Sequence, residues 1–292
     1  MKIYPKCVPC LLQRAYYEVQ MSNIDGEKEY EAMSRALEEL SNKFTDKNAT
    51  FEVSTEMHRA VYEVIDTDDP YKEKKKLGNE VIKELSPKIK AELKNDENSF
   101  KKAMVASIVA NSLDFGVLEH EIDPEELGED FPEKVKDSEL GIDDTEKIKE
   151  EIKDADEIAF VADNCGEIII DKLFLEEIET LSDANIVLYV RGAPIFNDVT
   201  LEEAKEVGIT NLVDEVIELG GRAVGVNPKY VPEKVREKLF SSDLIISKGM
   251  ANYESLSEFE GDLNVSYVFK VKCEPVADSV GAQVGENVAI KR

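Results

Sequence analysis

Apolar residues in the first 120 positions recur at helical spacing. In five windows they would fall on one face of a helix, with polar residues on the other. The windows span 10–20, 27–44, 52–65, 71–93 and 99–118, and polar clusters or proline separate most of them. The pattern predicts an all-helical region over residues 1–120.

The pattern changes in the second half of the chain. Short apolar runs at 157–162, 186–190, 244–247 and 265–271 alternate with helical windows at 166–181, 200–207 and 232–240. Strands that alternate with helices predict an α/β fold, here a Rossmann-like, mostly parallel sheet with helices on both faces. The acidic segment 121–156 is expected to be a solvated connector with a short helix, which makes 157–292 the α/β domain.

The charge balance narrows the classes of partner. Asp and Glu number 63 against 36 Lys and Arg, and the formal net charge is -27. Such a surface repels nucleic acid and anionic membranes, and we expect neither as a partner; protein partners are left open. No apolar run approaches the roughly 18 to 20 residues of a membrane span, and the N-terminus is not typical of a secretory signal. We expect a cytoplasmic protein.

Polar side chains follow three of the predicted strands. Parallel strands bind ligands beyond their carboxyl ends, so these residues are expected to converge on one crevice. Oxygen ligands together with cations suit Mg²⁺ or Mn²⁺ and a phosphate group. The residues are Asp163 and Asn164 after the first run, Arg191, Asn197 and Asp198 after the second, and Lys248 and Asn252 after the third.

Each of these positions also has a simpler interpretation. Asp163 or Asn164 could cap the helix that follows, and Asp198 could cap the helix from Thr200. Lys248 could be an ordinary exposed lysine. Gly166 permits a tight turn, and the helix that starts there could direct backbone N–H groups at an anion.

Three motifs make the functional prediction specific. DNxGE at 163–167, RGxPIxND at 191–198 and SKGxxNYE at 247–254 resemble the damage-control phosphatase family, long known as a domain of unknown function. The helical part is similar to the family at KCVPC (6–10), at DPY (69–71) with Lys76 and Asn79, and at NSLDFG (111–116). The N-terminal CxxC resembles the prokaryotic branch in particular.

The resemblance implies a phosphatase that depends on a divalent cation (Mg, Mn, Co or Ni). It would hydrolyse small phosphorylated metabolites such as sugar phosphates or phosphopantetheine-like esters. The implied metal ligands are Asp163, Asn164 and Asp198; the implied phosphate ligand is Lys248, and Asn111 and Asp114 would close over the substrate. We assign catalytic roles to Asp163, Asp198 and Glu167, and substrate contacts also to Arg191 and Asn252.

The steps of hydrolysis stay open at this point. A water oriented by Asp198 or Glu167 could attack phosphorus, or an aspartyl-phosphate could form. Lys248 and the backbone amides near Gly166 are expected to hold the remaining phosphoryl oxygens.

Two other functions compete with the phosphatase. One is an S-adenosylmethionine-dependent protein carboxyl methyltransferase, a name attached to eukaryotic relatives of the family, but a Rossmann-type methyltransferase should carry a glycine-rich loop after its first strand. Residues 163–166 offer one glycine and two metal-suited side chains instead. The other is a non-catalytic protein that binds sugar phosphate or metal.

Cysteine and histidine leave smaller questions. Three interpretations of Cys7 and Cys10 stay open: a redox pair, half of a zinc site, or structural thiols. Cys273 could join them in space. With only His58 and His120 present, histidine-based acid–base catalysis is not expected, and His120 is the one to test.

Overall fold

The computed structural model describes residues 1–94, 96–111, 124–259, 261 and 263–292, with side chains between 124 and 130 left aside. The helical windows of the N-terminal region are confirmed to within a few residues. The helices are α1 (Cys7–Met21), α2 (Glu27–Lys43), α3 (Thr50–Tyr62), α4 (Lys72–Leu93) and α5 (Ser99–Asn111). Residues 112–118 of the last window lie outside the described residues.

The remaining elements alternate between helices and strands. In chain order they are α6 (Pro124–Asp137), β1 (Leu140–Asp143), α7 (Thr145–Asp154), β2 (Glu157–Val161), α8 (Glu167–Glu179), β3 (Asn185–Val190), α9 (Leu201–Glu206), β4 (Glu215–Glu218), α10 (Glu233–Ser241), β5 (Leu244–Lys248), α11 (Met250–Leu256), β6 (Val265–Lys270), α12 (Glu274–Val280) and β7 (Asn287–Lys291).

The strands form one sheet in the order β1-β7-β6-β5-β2-β3-β4. Every pair is parallel except β6 and β7, and apolar cores cover both faces of the sheet. The predicted Rossmann-like sheet preceded by a helical region is therefore confirmed. Strand β2 lies between β5 and β3, so the strand order reverses beside it and opens a crevice at the carboxyl ends of these three strands.

The sheet extends upstream of the predicted α/β boundary. The segment expected to be a connector, 121–156, contains α6, the edge strand β1 and α7 rather than solvated chain. Strands β1, β4 and β7 were not predicted. The first two are four-residue edge strands with half-buried or exposed side chains, and such short segments show no clear alternation.

The helical region packs in two parts. Helices α1, α2 and α3 surround their own apolar cluster, which includes Ala15, Ala32 and Val53. Helices α4 and α5 instead belong to the large core that covers one face of the sheet, with Met104 and Phe174 among its members. Within the described part of the chain, no helix is long and apolar enough to cross a membrane.

Candidate active site

The loops that follow β2 and β3 are hydrogen-bonded to each other. Cys165 N donates to Asn197 O at 2.8 Å, and Val199 N donates to Asp163 O at 2.9 Å. An isolated antiparallel bridge joins Asn164 to Asp198. The backbone thus fixes the three predicted metal ligands next to one another at the carboxyl end of the sheet.

Asp163, Asn164 and Asp198 line one cavity of about 510 Å³. The helical region closes this cavity from the other side with residues of α1, α3 and the end of α5. The wall also includes residues of α11, the loop between β6 and α12 with the start of α12, and Val224 in the loop after β4. The lining residues include Cys10, Arg14, Ser54, Asn111, Phe196, Met250, Glu254, Lys272 and Cys273.

Asp163 is held by two side-chain amides. Its Oδ2 accepts hydrogen bonds from Asn111 Nδ2 at 2.8 Å and from Asn164 Nδ2 at 2.7 Å. Burial, together with the nearby carboxylates of Asp198 and Glu167, raises the Asp163 pKa from 3.8 to about 8. A buried carboxylate with a pKa this high is stabilised in its charged form by any added cation.

Asp198 is held by an arginine. Arg191 Nε donates to Asp198 Oδ2 at 2.6 Å, while its other nitrogens donate to Gly225 O and Asn252 Oδ1, both at 2.9 Å. Asn252 in turn donates to the main-chain oxygens of Ala162 and Lys248. Arg191 and Asn252 are buried, and neither belongs to the cavity lining that the structure describes. Their contact with substrate stays a prediction, and the contacts that the structure shows are those of positioning residues for Asp198.

Lys248 is likewise turned away from the cavity. Its side chain is fully buried, and Nζ donates to Asp171 Oδ1 at 2.7 Å, to Glu167 Oε1 and to Ser107 Oγ. Burial lowers the Lys248 pKa, but the two carboxylates outweigh it and raise the pKa above its ordinary value. Two carboxylates thus already surround the charge of Lys248, and the phosphate contact implied for this lysine stays a prediction.

Glu167 links the lysine cluster to the metal ligands. While Oε1 faces Lys248, Oε2 accepts hydrogen bonds from the side-chain amides of Asn111 and Asn164. Both oxygens are therefore occupied within the protein. Its position beside the metal motif is as predicted, but its contacts are those of a residue that orients the two asparagines.

The capping interpretations are wrong for both helices. Helix α8 has Gly166 at its N-cap without a side-chain hydrogen bond. Helix α9 is capped by Thr200, whose backbone N and Oγ1 both donate to the Glu203 carboxylate. Asp163, Asn164 and Asp198 are thus not needed as helix caps.

The backbone amides near Gly166 are also occupied. Gly166 N donates to Asn79 Oδ1 at 2.6 Å, and Cys165 N is bonded to Asn197 O. The expectation that these two amides bind phosphate is therefore wrong. Asn79 of the DPY-containing motif instead fixes the turn before α8.

The lysine of this motif that lies inside the protein is not the one that the resemblance singled out. Lys76, which the resemblance singled out, is 69% exposed and approaches Glu80 one turn away. The buried lysine is its neighbour Lys75, which pairs with Asp69 Oδ2 at 3.0 Å and Glu203 Oε1 at 3.2 Å. Lys75 thereby ties α4 to the start of α9.

Among the residues implied to close over the substrate, Asn111 lies in the cavity wall and contacts Asp163 and Glu167. Asp114 and His120 lie outside the described residues. His58 is buried beneath the cavity with Nδ1 2.7 Å from Glu18 Oε2, so it does not line the site.

Three thiols stand at the same cavity. Cys7, Cys10 and Cys273 all line it and are unbonded to one another. Burial raises the Cys273 pKa to about 11 and raises that of Cys7 as well, which disfavours the reactive thiolate form. The spatial meeting of Cys273 with the CxxC motif is confirmed, and the raised pKa values favour structural thiols over a redox pair.

The site fits a hard divalent cation. Asp163 and Asp198 supply carboxylate oxygens, and Asn164, whose Nδ2 is committed to Asp163, retains its amide oxygen. Within the described ranges no group of three or more His, Cys, Asp and Glu side chains is arranged to hold a metal. A cation here would therefore rest on two carboxylates and one amide, with substrate or water completing the shell.

A substitution at Gly249 tests whether the position of the Asp163 carboxylate matters for activity. Its φ is 76°, and a Cβ at this position would lie 1.9 Å from Asp163 Oδ2. We expect Gly249→Ala to displace the Asp163 carboxylate and, since misplacement by about 1 Å costs roughly 10²-fold, to reduce phosphate release by that factor or more. Thermal stabilisation by Mn²⁺ should be lost in parallel.

Gly281 is the matched control for Gly249. Its φ is 78°, yet a Cβ there would meet nothing within 4 Å. Its ψ is 34°, in the left-handed helical region, whereas that of Gly249 is 162°, so Gly281→Ala carries a milder positive-φ strain and no collision. It should keep activity and the response to Mn²⁺; an equal loss in both variants would show that strain, and not contact with Asp163, is responsible.

Three residues around the site were not predicted from the sequence: Arg14, Ser107 and Asp171. Signals for two of them exist. Asp171 follows Glu167 by four residues, and Arg14 follows Cys10 by four, so each lies on the same helix face as a residue already singled out. Ser107 carried no signal, because only the packing of α5 against α8 brings it to Lys248.

The fold and the site together define a class of protein. It is a Rossmann-like α/β protein whose crevice, at the carboxyl ends of the strands, holds buried carboxylates under a layer of helices. The chain belongs to the family described as the damage-control phosphatase ARMT1-like domain, whose model matches residues 3–288. The resemblance seen in the motifs is thus confirmed, and family membership supports a phosphatase role in metabolite repair.

Similar proteins cover the whole chain. It is 36% identical over 292 residues to a protein of Archaeoglobus fulgidus named damage-control phosphatase, covering 99% of each chain. It is 31% identical over 291 residues to a damage-control phosphatase of Pyrococcus horikoshii, covering 100% of this chain and 98% of that one. The crystal structure of a DUF89 family protein from P. horikoshii superposes with a TM-score of 0.90 at 30% identity, covering 100% and 99% of the two chains.

Proposed function

We propose that this protein is a divalent-cation-dependent phosphatase that hydrolyses small phosphorylated metabolites in the cavity lined by Asp163, Asn164 and Asp198. One observation carries the proposal: two buried carboxylates and an amide from successive strand-end loops face the same cavity. Burial, and then the repulsion between the two carboxylates, raises the pKa of Asp163, and a bound cation would relieve that repulsion. Mg²⁺, Mn²⁺, Co²⁺ and Ni²⁺ are the candidates.

When bound, a divalent cation would polarise a phosphoryl oxygen and offset the charge that develops during transfer. The protein's own residues fix the two carboxylates that would hold the cation. Asn111 and Asn164 fix Asp163, and Arg191 fixes Asp198. Fixed carboxylates need no reorganisation when the ester arrives, which is how preorganised sites lower a barrier.

The contacts also narrow the choice of the residue that orients the attacking water. Glu167 has both oxygens occupied by Lys248 and the two asparagines. Asp198 lines the cavity, and among the described residues its carboxylate is held through Oδ2 alone. We therefore assign the orientation of water to Asp198, with attack by the Asp163 carboxylate itself as the alternative. Acid trapping of a phosphorylated protein would identify the latter.

The cavity volume supports a small substrate. About 510 Å³ falls within the usual range for sites that take small metabolites. Sugar phosphates and phosphopantetheine-like esters both belong to the proposed substrate class. Neither polymeric nucleic acid nor a lipid surface matches a chain with a formal net charge of -27.

Phosphate release tests this proposal against the two competing functions. Metal-stripped protein should release no phosphate from p-nitrophenyl phosphate or sugar phosphates, and one or more of Mg²⁺, Mn²⁺, Co²⁺ and Ni²⁺ should restore release. Excess chelator should abolish it again. A non-catalytic binding protein would be stabilised by metal without turnover, and a methyltransferase would consume S-adenosylmethionine instead.

A further inference from the structure

The basic residues of the cavity wall come from an unexpected part of the chain. Both cations predicted for the role of phosphate ligand, Arg191 and Lys248, are buried among carboxylates. The basic residues that do line the cavity, within the described ranges, are Lys6, Arg14 and Lys272. All three lie outside the strand-end motifs on which the sequence prediction rested.

Two of these three cations are less suited to the role. Lys6 is 67% exposed and forms an ion pair with the exposed Glu274 at the cavity rim. Lys272 is exposed, and its Nζ donates to the main-chain oxygen of Asn111 at 2.9 Å. A lysine is also a point charge on a flexible stem, which fixes an anion less sharply than a guanidinium does.

Arg14 is half-buried and fixed against the loop that carries Asp198. Its guanidinium carbon lies 4.5 Å from the centre of the Phe196 ring, in a cation–π contact. Phe196 stands two residues before Asp198 and has a φ of 50°, which a non-glycine residue adopts only when its surroundings hold it. The ring is itself packed edge-on against His58, with centroids 4.6 Å apart.

The charge of Arg14 reaches two carboxylates of the cavity. It acts electrostatically on Asp198 and on Glu254, both of which line the cavity. A ring contact of this kind engages the guanidinium face, whereas its N–H donors lie in the guanidinium plane. A guanidinium held by its face can present two of these donors to two oxygens of a phosphate group.

We propose that Arg14 is the substrate-binding residue that holds the phosphoryl oxygens of the phosphate monoester, with Phe196 as the platform that positions its guanidinium. The inference rests on the proposed function, since it assigns a ligand to the phosphoryl group of that same reaction. It moves the phosphate contact from the strand ends to α1, the helix that also carries Cys7 and Cys10.

Variants of Arg14 test the inference through binding of inorganic phosphate. In Arg14→Ala the inhibition constant for inorganic phosphate and the KM for p-nitrophenyl phosphate should each rise roughly 10- to 100-fold, the effect of losing a charge-assisted hydrogen bond. Arg14→Lys should fall between wild type and alanine. Added guanidinium or methylguanidinium ion should restore part of the lost activity of Arg14→Ala, which a merely structural role would not allow.

Arg35→Gln is the matched control, because it removes the same charge from an exposed position on α2. It should leave phosphate inhibition and KM unchanged. Phe196→Leu should weaken phosphate inhibition less than Arg14→Ala, since the guanidinium remains but loses its platform. Stabilisation by Mn²⁺ alone should be equal in wild type and Arg14→Lys, which separates phosphate binding from metal binding.

The outcomes distinguish the two proposals. If wild type releases phosphate and Arg14→Ala behaves as Arg35→Gln does, the inference is overturned and the phosphatase stands. If wild type releases none, but inorganic phosphate with Mn²⁺ stabilises wild type and not Arg14→Ala, Arg14 is the anion ligand of a binding protein. If wild type releases no phosphate and inorganic phosphate has no effect on it, both proposals fall; if it releases phosphate without inhibition by inorganic phosphate, the KM of Arg14→Ala decides the inference.

Discussion

Asp163→Asn should eliminate cation-dependent phosphate release while making the metal-free protein more stable at neutral and alkaline pH. The loss of activity follows from removing one of two carboxylates that would hold the cation, and such electrostatic contributions are worth on the order of 10³-fold in rate. The gain in stability follows because the folded protein must either bury the Asp163 charge beside Asp198 and Glu167 or keep a proton that the unfolded chain releases, and an amide does neither. Opposite effects on activity and stability are typical of a functional site and atypical of a structural residue.

The stability effect has a definite pH dependence. Burial first, then Asp198 and Glu167, raise the Asp163 pKa in the folded protein to about 8, against an ordinary value of 3.8. Between these values the folded state keeps a proton that the unfolded state has released. The free energy of unfolding therefore falls as pH rises from about 4 to about 8, by up to about 1.4 kcal/mol per pH unit, and then levels off.

Urea unfolding at several pH values between 5 and 8, with chelator, measures this slope. Asp163→Asn should flatten it, and Asp46→Asn, which changes an exposed carboxylate, should not. Mn²⁺ should stabilise wild type more at pH 8 than at pH 6, since binding must displace the proton. Parallel slopes in wild type and Asp163→Asn, or retained turnover in the variant, would remove Asp163 from the centre of the site.

The strand-end rule explains why the convergence of the proposed metal ligands could be predicted. Asp163 and Asp198 each follow an apolar run, and adjacent parallel strands bring their carboxyl ends to the same edge of the sheet. Only the existence of β2 and β3 had to be right, since their adjacency then follows from the fold class. The bridge between Asn164 and Asp198 completes this arrangement locally.

The roles of the basic residues could not be predicted in the same way. A sequence shows that Lys248 and Arg191 end strands, but not whether their side chains point to the cavity or beneath it. That direction depends on partners remote in the chain, such as Ser107, 141 residues from Lys248. Arg14 was not predicted either, because its place in the cavity depends on how α1 packs over the sheet.

Lys248→Met should therefore change the stability of the protein more than its binding of phosphate. The lysine is 0% exposed and lies between Glu167 and Asp171, so its removal leaves two buried carboxylates without their common counter-charge. Breaking a buried ion pair in this way costs about 3–5 kcal/mol. The Asp171 pKa, which burial already raises to about 6 with the lysine present, should rise further.

Chemical denaturation of Lys248→Met, Lys90→Met and the double variant Lys248→Met/Asp171→Asn measures this effect. Lys90 pairs with Glu176 at the surface and is 45% exposed, so its loss should cost at most about 1 kcal/mol. The double variant should recover part of the stability, because it removes one of the two stranded carboxylates. If Lys248 instead bound phosphate directly, Lys248→Met would unfold near the wild-type midpoint and lose only its affinity for inorganic phosphate. Such a result would return Lys248 to the role that the family motif implied and would require its side chain to leave Glu167 when substrate binds.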